Sequence, residues 1–348
     1  MANNIDDYIV DFADIPYERV SKERVLTGYP DLDYFIKGIE PGLTELIGST
    51  NVGKSIFTSM LIKNAIIQHY KVGVFASEHS LRDYKMIVMQ QNAKKGEFDI
   101  IPFTDKNGND TNIADWYVNE QREKQINAEY DHNLYLFDTR KTDRDVQTLC
   151  NWLVACYKQK GVRFFILDNF MEIDNNNQNQ FQEQTNIVTQ IRNTALRFKL
   201  FVVLVMHTNK ASTDDGFRLN IKSAFGTSNA TNKGYNVLAL YRKDYIVVGK
   251  GQDKLLNKFK ADLGKAGFDY DKCDGFVEVL KTKGNGNGII GLTYVPDSKT
   301  FIQAEKVSKT EADNIYKKYN KQVDMGDKID NGEMTEIDDD MFGDTLPF

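Results

Sequence analysis

Ten consecutive residues, Leu46-Ile47-Gly48-Ser49-Thr50-Asn51-Val52-Gly53-Lys54-Ser55, have the types and spacing needed to hold a polyphosphate. Gly48 and Gly53 frame a four-residue gap, and Lys54-Ser55 complete the pattern of a phosphate-binding loop. Backbone N–H groups must converge on phosphate oxygens, which demands glycine where the chain bends sharply or passes close to the anion. The helix expected from Ile56 to about Gln68 points its positive end at the same place. Gly48, Ser49, Thr50, Asn51, Val52, Gly53, Lys54 and Ser55 are therefore the predicted nucleotide-binding residues. Lys54 is expected to reach the β- and γ-phosphates of ATP, and the Ser55 hydroxyl to ligate Mg²⁺.

Three more residues belong to the same chemistry because each closes an apolar, β-type run. Asp168 ends Phe164-Phe165-Ile166-Leu167 and is placed to organise Mg²⁺, partly through water. Glu78 follows Val72 to Ser77 and is placed to polarise an attacking water. His207 follows Phe201 to Met206, within hydrogen-bonding reach of a γ-phosphate. Lys281 and Lys283 flank Thr282 at the base of a glycine–asparagine hairpin, Gly284-Asn285-Gly286-Asn287-Gly288. Alternate residues on a strand share a face, so both ammonium groups are expected to point the same way. In a ring they would reach the triphosphate of the next subunit, as an arginine finger does.

Two polar stretches carry the donors a nucleic acid needs. Asn175, Asn176 and Asn177 lie in an amide-rich loop, and Lys210, Arg218 and Lys222 cluster after His207. Such groups suit phosphates and sugars along a channel for a single strand. The net charge of −6 argues against this only at first sight. From Lys321 to Phe348 the chain carries nine acids and two lysines, which leaves residues 1–320 at a net +1. A near-neutral body can hold a basic pore.

The elements that position these residues alternate in type. Strands are predicted at Val72 to Ser77, Leu134 to Phe137, Val162 to Leu167, Phe201 to Met206, Val237 to Tyr241 and Phe276 to Leu280. Helices are predicted at Leu81 to Asn92, Asp143 to about Lys158 (capped by Thr142 or Asp143) and about Gln182 to Phe198. This order predicts an α/β fold with a mostly parallel central sheet flanked by helices. Ligands in such sheets bind beyond the carboxyl ends of the strands, where Gly48, Glu78, Asp168 and His207 all fall. Residues 96 to 132 and 245 to 275 read as insertions, the first as a possible loop. The chain beyond about Ser308 is polar, with disorder expected from about Gln322. The domains are thus 1–25, an arm with Ile5, Tyr8, Ile9 and Phe12 on one helical face; 26–308, the core; and 309–348, an acidic tail. The arm packs either on its own domain or on a neighbouring subunit.

No apolar run approaches a membrane span and no secretory signal pattern opens the chain, so a soluble protein without a membrane partner is expected. Cys150, Cys156 and Cys273 have no metal-ligand spacing and suit a reducing cytoplasm.

With these segments in place, the chain resembles the RecA-type P-loop NTPase core of the hexameric replicative DNA helicases, the DnaB-like group with its phage and mitochondrial members. Thr27-Gly28-Tyr29-Pro30-Asp31-Leu32-Asp33 resembles the family's leading motif. Gly48 to Ser55 matches its Walker A, Phe75-Ala76-Ser77-Glu78 its glutamate strand, and Ile166-Leu167-Asp168-Asn169-Phe170 its Walker B. Leu134-Tyr135-Leu136-Phe137-Asp138 is similar to the strand before the Walker B helix. Val205-Met206-His207-Thr208-Asn209-Lys210 is similar to its sensor motif. Phe225-Gly226-Thr227-Ser228 with Asn236 to Arg242 resembles its fourth motif, and Leu280-Lys281-Thr282-Lys283 with Gly288 and Gly291 its finger hairpin.

The resemblance covers about residues 20 to 303. It implies a homo-hexameric ATP hydrolase that moves on single-stranded DNA and unwinds duplex, of the 5′–3′ type, with nucleotide between subunits. Lys283 stands where these helicases usually carry Arg, and no primase or zinc-binding domain precedes the core, so primer synthesis is not expected. The Lys-x-Lys pair and Glu78-His79 also resemble RecA-type recombinases. A filament-forming, single-stranded-DNA-binding ATPase is therefore the alternative, and an ATP-gated assembly protein without motor activity a third reading. The stretch Asp338 to Phe348 resembles the acidic tip of bacterial single-stranded DNA-binding proteins. That implies recruitment of replication or repair proteins through Phe348. A compact helicase of this kind suits a bacterial cytoplasm and a phage-like replicon.

Overall fold

The computed structural model describes residues 23–330, apart from 139, 142, 171–172, 174–179, 209–216, 224–232 and 250–251. The expected arm up to residue 22 and the acidic tip from residue 331 lie outside the described residues, as do Asn175, Asn176, Asn177 and Lys210.

The core is one nine-stranded sheet. Its strands are β1 (Gly42–Gly48), β2 (Lys71–Ala76), β5 (Leu134–Leu136), β6 (Val162–Asp168), β7 (Phe201–His207), β8 (Asn236–Arg242), β9 (Gly275–Lys281), β10 (Ile289–Val295) and β11 (Thr300–Gln303). Their order across the sheet is β11-β10-β9-β8-β1-β7-β6-β2-β5. From β8 to β5 all neighbours run parallel, and β9, β10 and β11 extend the sheet antiparallel. The parallel strands read as unbroken apolar runs because both faces are covered: every residue of β1 is buried, and six of seven in β6. The predicted fold class is the one observed.

Helices α1 (Pro30–Ile36), α2 (Lys54–Ile67), α3 (Leu81–Gln91), α5 (Val146–Lys160) and α6 (Gln180–Arg197) connect or flank the first strands. The start of α5 differs from expectation. Asp145 is its cap, accepting from the N–H groups of Gln147 and Thr148, so the helix begins three residues later than Asp143. Trp152 of α5 packs edge-on against Phe137 and Phe165, closing the core on that side.

Three stretches read as insertion, loop or disordered tail hold regular structure. Residues 96 to 132 fold as a hairpin, β3 (Phe98–Thr104) with β4 (Asp110–Val118), followed by α4 (Glu120–Tyr130). The turn is where Asn107-Gly108 predicts it, with Gly108 at φ +84° and the Asp105 carboxylate accepting from the Asn107 and Asn109 amides. The polar faces of this unit hid it, because Ile100, Ile101, Phe103 and Trp116 remain exposed and leave no clean alternation. Residues 245 to 275 contain α7 (Asp253–Lys265), and the expected polar tail opens with α8 (Lys309–Asp330) packed on it. Two amphipathic helices that cover each other need no strong pattern in either alone.

The hairpin between β9 and β10 is bolted to α1. Its Asn285 donates from the main-chain N–H to the Phe35 carbonyl at 2.7 Å and from Nδ2 to the Tyr34 carbonyl at 2.7 Å. A Cβ on Gly284 would stand 2.3 Å from the Phe35 carbonyl oxygen, so only glycine fits there. Among the described residues no helix is long and apolar enough to cross a membrane.

Candidate active site

The carboxyl ends of β1, β2, β6 and β7 are adjacent because the sheet order is β1-β7-β6-β2, and the four predicted residues meet there. After β1 the loop turns into α2 through Gly53 at φ +95°, where a Cβ would press to 2.8 Å of the Phe301 ring. The left-handed backbone and the aromatic wall both demand glycine.

Lys54 is buried at the first position of α2. Its Nζ donates to the carbonyls of Gly48 (3.0 Å) and Ser49 (2.8 Å) and lies 3.2 Å from His207 Nδ1. Burial pushes the Lys54 ammonium down to about 8 against the pull of Asp168 and Glu78. The site thus holds a cation that is short of counter-charge, which a polyphosphate supplies.

His207 joins two of the predicted groups. An ammonium has only donors, so Nδ1 accepts from Lys54 and the proton sits on Nε2. Nε2 then donates to Glu78 Oε1 at 3.1 Å. The same oxygen accepts from Asn169 Nδ2. Burial raises the Glu78 carboxyl, but the bonds from Asn169 and His207 outweigh it and hold the group below its usual range.

Ser55 Oγ donates to Asp168 Oδ2 at 2.8 Å. Burial raises the Asp168 carboxyl, and the Ser55 bond offsets part of that. A hydroxyl and a desolvated carboxylate side by side are hard oxygen donors beside a phosphate loop, and they fit Mg²⁺.

Sequence reasoning missed two contributors. Asn169 orients Glu78, and its backbone N–H donates to the Ser77 hydroxyl at 3.1 Å, tying the end of β6 to the turn after β2. Its position next to Asp168 was visible; its partner follows from the β2–β6 pairing alone. The second is Arg242 at the end of β8. A cavity beside the phosphate loop is lined by Ser49, Thr50, Leu240, Arg242, Tyr245 and Gln252. The Arg242 guanidinium lies 5.3 Å from the centre of the Tyr294 ring and 5.8 Å from that of Tyr245.

The remaining candidates lie away from this cluster. Lys281 ends β9 and Lys283 is exposed, its Nζ 3.9 Å from the centre of the Tyr235 ring. Arg218, expected among the DNA contacts because of its charge, is placed differently: it pairs with Asp262 at 2.6 Å and Glu278 at 2.8 Å. A half-buried guanidinium shared by two carboxylates has no fork left for a phosphate. Lys222 lies in a short 3₁₀ turn, Ile221–Ser223.

Glu45, in the middle of β1, is fully buried and accepts from the Gly234 amide at 3.0 Å. Burial pushes it up to about 8, against the Gly234 bond and the Lys281 charge. A folded-state pKa above the unfolded one gives stability that is complete below about pH 4.5 and is lost as pH rises through about 8. Glu45→Gln is therefore expected to flatten the fall in Tm between pH 5 and 8. An unchanged slope in thermal melts across that range would show that Glu45 is ionised throughout.

Comparison with known proteins agrees with this geometry. The family model described as DnaB-like helicase C terminal domain matches residues 24–292. No curated protein matches by sequence. Among solved structures, one described as an ATPase domain superposes with a TM-score of 0.61 at 15% identity, covering 81% of this chain and 92% of that one. A DnaB-like replicative helicase, solved in a study of its interactions with primase, gives a TM-score of 0.60 at 14% identity, covering 82% of this chain and 63% of that one. At such identities the superpositions show the fold, and the family match carries the rest. With a phosphate loop, a hydroxyl–carboxylate pair that fits Mg²⁺ and a polarised glutamate at the strand ends, and with over three-quarters of its length matched, this chain belongs to the DnaB-like replicative helicases, ATP-hydrolysing DNA helicases for which 5′–3′ movement is consistent.

Proposed function

We propose that this chain assembles into a homo-hexameric ring that hydrolyses ATP at each subunit interface and moves 5′–3′ along single-stranded DNA. The observation that carries the reading is the relay Lys54–His207–Glu78 beside the Ser55–Asp168 pair. Lys54 exchanges the loop carbonyls for β- and γ-phosphate oxygens. Ser55 and Asp168 hold Mg²⁺, which neutralises charge on those phosphates. Glu78, oriented by Asn169, takes a proton from the attacking water. His207 touches both Lys54 and Glu78, so a γ-phosphate that displaces either contact changes the other. Lys281 and Lys283 act on the neighbouring subunit's triphosphate. Asn175, Asn176, Asn177, Lys210 and Lys222 meet the DNA strand.

Arg242 and Tyr245 are assigned to the nucleobase, because both line the cavity that adjoins Ser49 and Thr50. Arg242→Ala is expected to raise KM for ATP about tenfold with kcat nearly unchanged, a loss of roughly 1.4 kcal/mol of uniform binding. A fall in kcat at constant KM in steady-state ATPase assays would place Arg242 in the chemistry instead.

The acidic stretch ending in Phe348 is assigned to recruitment of replication or repair proteins, and the bacterial cytoplasm is the compartment proposed. The test of the whole reading is unwinding of forked duplexes with a 5′ or a 3′ loading strand, beside particle images with single-stranded DNA and an ATP analogue. Rings and 5′-dependent unwinding are expected. Helical filaments with strand exchange would establish the recombinase reading in its place.

A further inference from the structure

The polar segment between β7 and β8 is fastened at two points, to β9 and to the residues that follow it. At the first, Arg218 gives Nε and Nη2 to Glu278 Oε1 at 3.2 and 2.8 Å and reaches Asp262 of α7 at 2.6 Å. Tyr241 Oη donates to the second Glu278 oxygen at 2.9 Å and accepts from the Leu219 N–H at 3.0 Å. Side chain and backbone of residues 218–219 are thus held to one carboxylate. Near the end of the segment, the Tyr235 ring lies under the Lys283 ammonium. Next to it, Asn236 Nδ2 donates to Thr44 Oγ1 at 3.3 Å, and Asn236 Oδ1 accepts from Thr282 Oγ1 at 2.8 Å. Thr282 is the residue between the two lysines.

This layout has a mechanical meaning. Glu278 and Lys281 lie about 10 Å apart on one strand at ~3.4 Å per residue. β9 is bonded to β8 on one side and β10 on the other, so it moves as a stiff unit. A pull on the polar segment reaches β9 through Arg218–Glu278.

We propose that the Arg218–Glu278 pair is the coupling element of this motor, transmitting engagement of the polar segment by single-stranded DNA to the strand that presents Lys281 and Lys283. Arg218 is here a positioning residue and not a phosphate contact. The proposal rests on the reading of that segment as the DNA-facing one and of the lysines as acting in trans.

The test uses the full chain with ATP and oligo-dT. Arg218→Gln, Glu278→Gln and the double variant are compared with wild type for turnover without DNA, turnover with saturating oligo-dT, and oligo-dT affinity at several salt concentrations. Each single variant is expected to keep DNA-free turnover and DNA affinity within about twofold, with an unchanged salt slope, and to lose most of the DNA stimulation. The double variant is expected to match the singles, because one interaction is lost in all three. Glu278→Asp, which keeps the charge, is expected to restore part of the stimulation.

Full stimulation in Arg218→Gln and Glu278→Gln overturns the proposal. So does a lower salt slope and weaker DNA binding in Arg218→Gln alone, which would make Arg218 a phosphate contact. If the glutamine variants unfold, Arg218→Lys, which loses the two-nitrogen contact to Glu278, carries the same comparison, and Asp262→Asn, which leaves the Arg218–Glu278 bond in place, is the control expected to keep the stimulation. A wild-type protein that ignores oligo-dT would instead reject the functional reading.

Discussion

Lys54→Ala is expected to abolish unwinding and to lower kcat/KM for ATP by at least about 10²- to 10³-fold, the scale seen when a preorganised charge stabiliser is removed. The structure explains why the loss is this large and why it is specific. Lys54 is buried among loop carbonyls with its pKa down to about 8, so the apoprotein carries it at a cost in desolvation. A triphosphate offsets that cost. The variant is therefore expected to fold as stably as wild type without nucleotide and to lose the rise in Tm that ATP confers by mass action. Thermal melts with and without ATP, beside ATPase assays, check both halves. Destabilised apoprotein with a normal ATP response would mean that Lys54 is a structural residue.

Removing a proposed trans cation should have the second largest effect. Lys283→Ala in the assembled ring is expected to cut ATP turnover about 10²-fold. Arginine fingers reach about 10³ to 10⁵, but an ammonium is a point charge without the guanidinium fork. Lys283 is exposed, and its contact is a tyrosine ring of its own subunit, which leaves it free to turn outward. Thr282 is held by Asn236 and the hairpin tip by Phe35 and Tyr34, so the backbone that presents the lysine is rigid. Mixing supplies a stringent check. Lys54→Ala and Lys283→Ala subunits are each expected to lose most of their turnover alone, yet a mixed ring contains interfaces with an intact Lys54 on one side and an intact Lys283 on the other. Recovery of turnover on mixing is expected. Normal turnover of Lys283→Ala alone, or no recovery in mixed rings confirmed by native mass measurement, would remove the trans role.

The geometry also bears on the division of labour within one subunit. Glu78 is held by two donors, His207 and Asn169, and His207 is held in turn by Lys54. Glu78, His207 and Lys54, the proposed base, sensor and phosphate-binding cation, therefore form one hydrogen-bonded unit. Changes at any of the three are expected to be non-additive in turnover.

Much of this molecule was legible in the residues as written. The spacing of Gly48, Gly53, Lys54 and Ser55 specifies a phosphate loop because its chemistry is done by consecutive backbone amides. That Asp168, Glu78 and His207 converge was legible because each terminates a buried apolar run, and a parallel α/β sheet puts such ends on one edge. Local chemistry written in local sequence needs no three-dimensional knowledge. The hairpin at 98–118 and the helix α8 were missed because their apolar residues face partners outside any short window, or solvent.

What only the tertiary structure decided are the pairings across long separations. Arg218 reads as a DNA cation because charge is all a sequence displays, whereas its partner Glu278 is 60 residues away on a strand that becomes its neighbour only when β9 joins β8. Asn169 meets Glu78, and Arg242 meets Tyr294, for the same reason. A residue's type sets what it can do, and strand order sets which group it does it to.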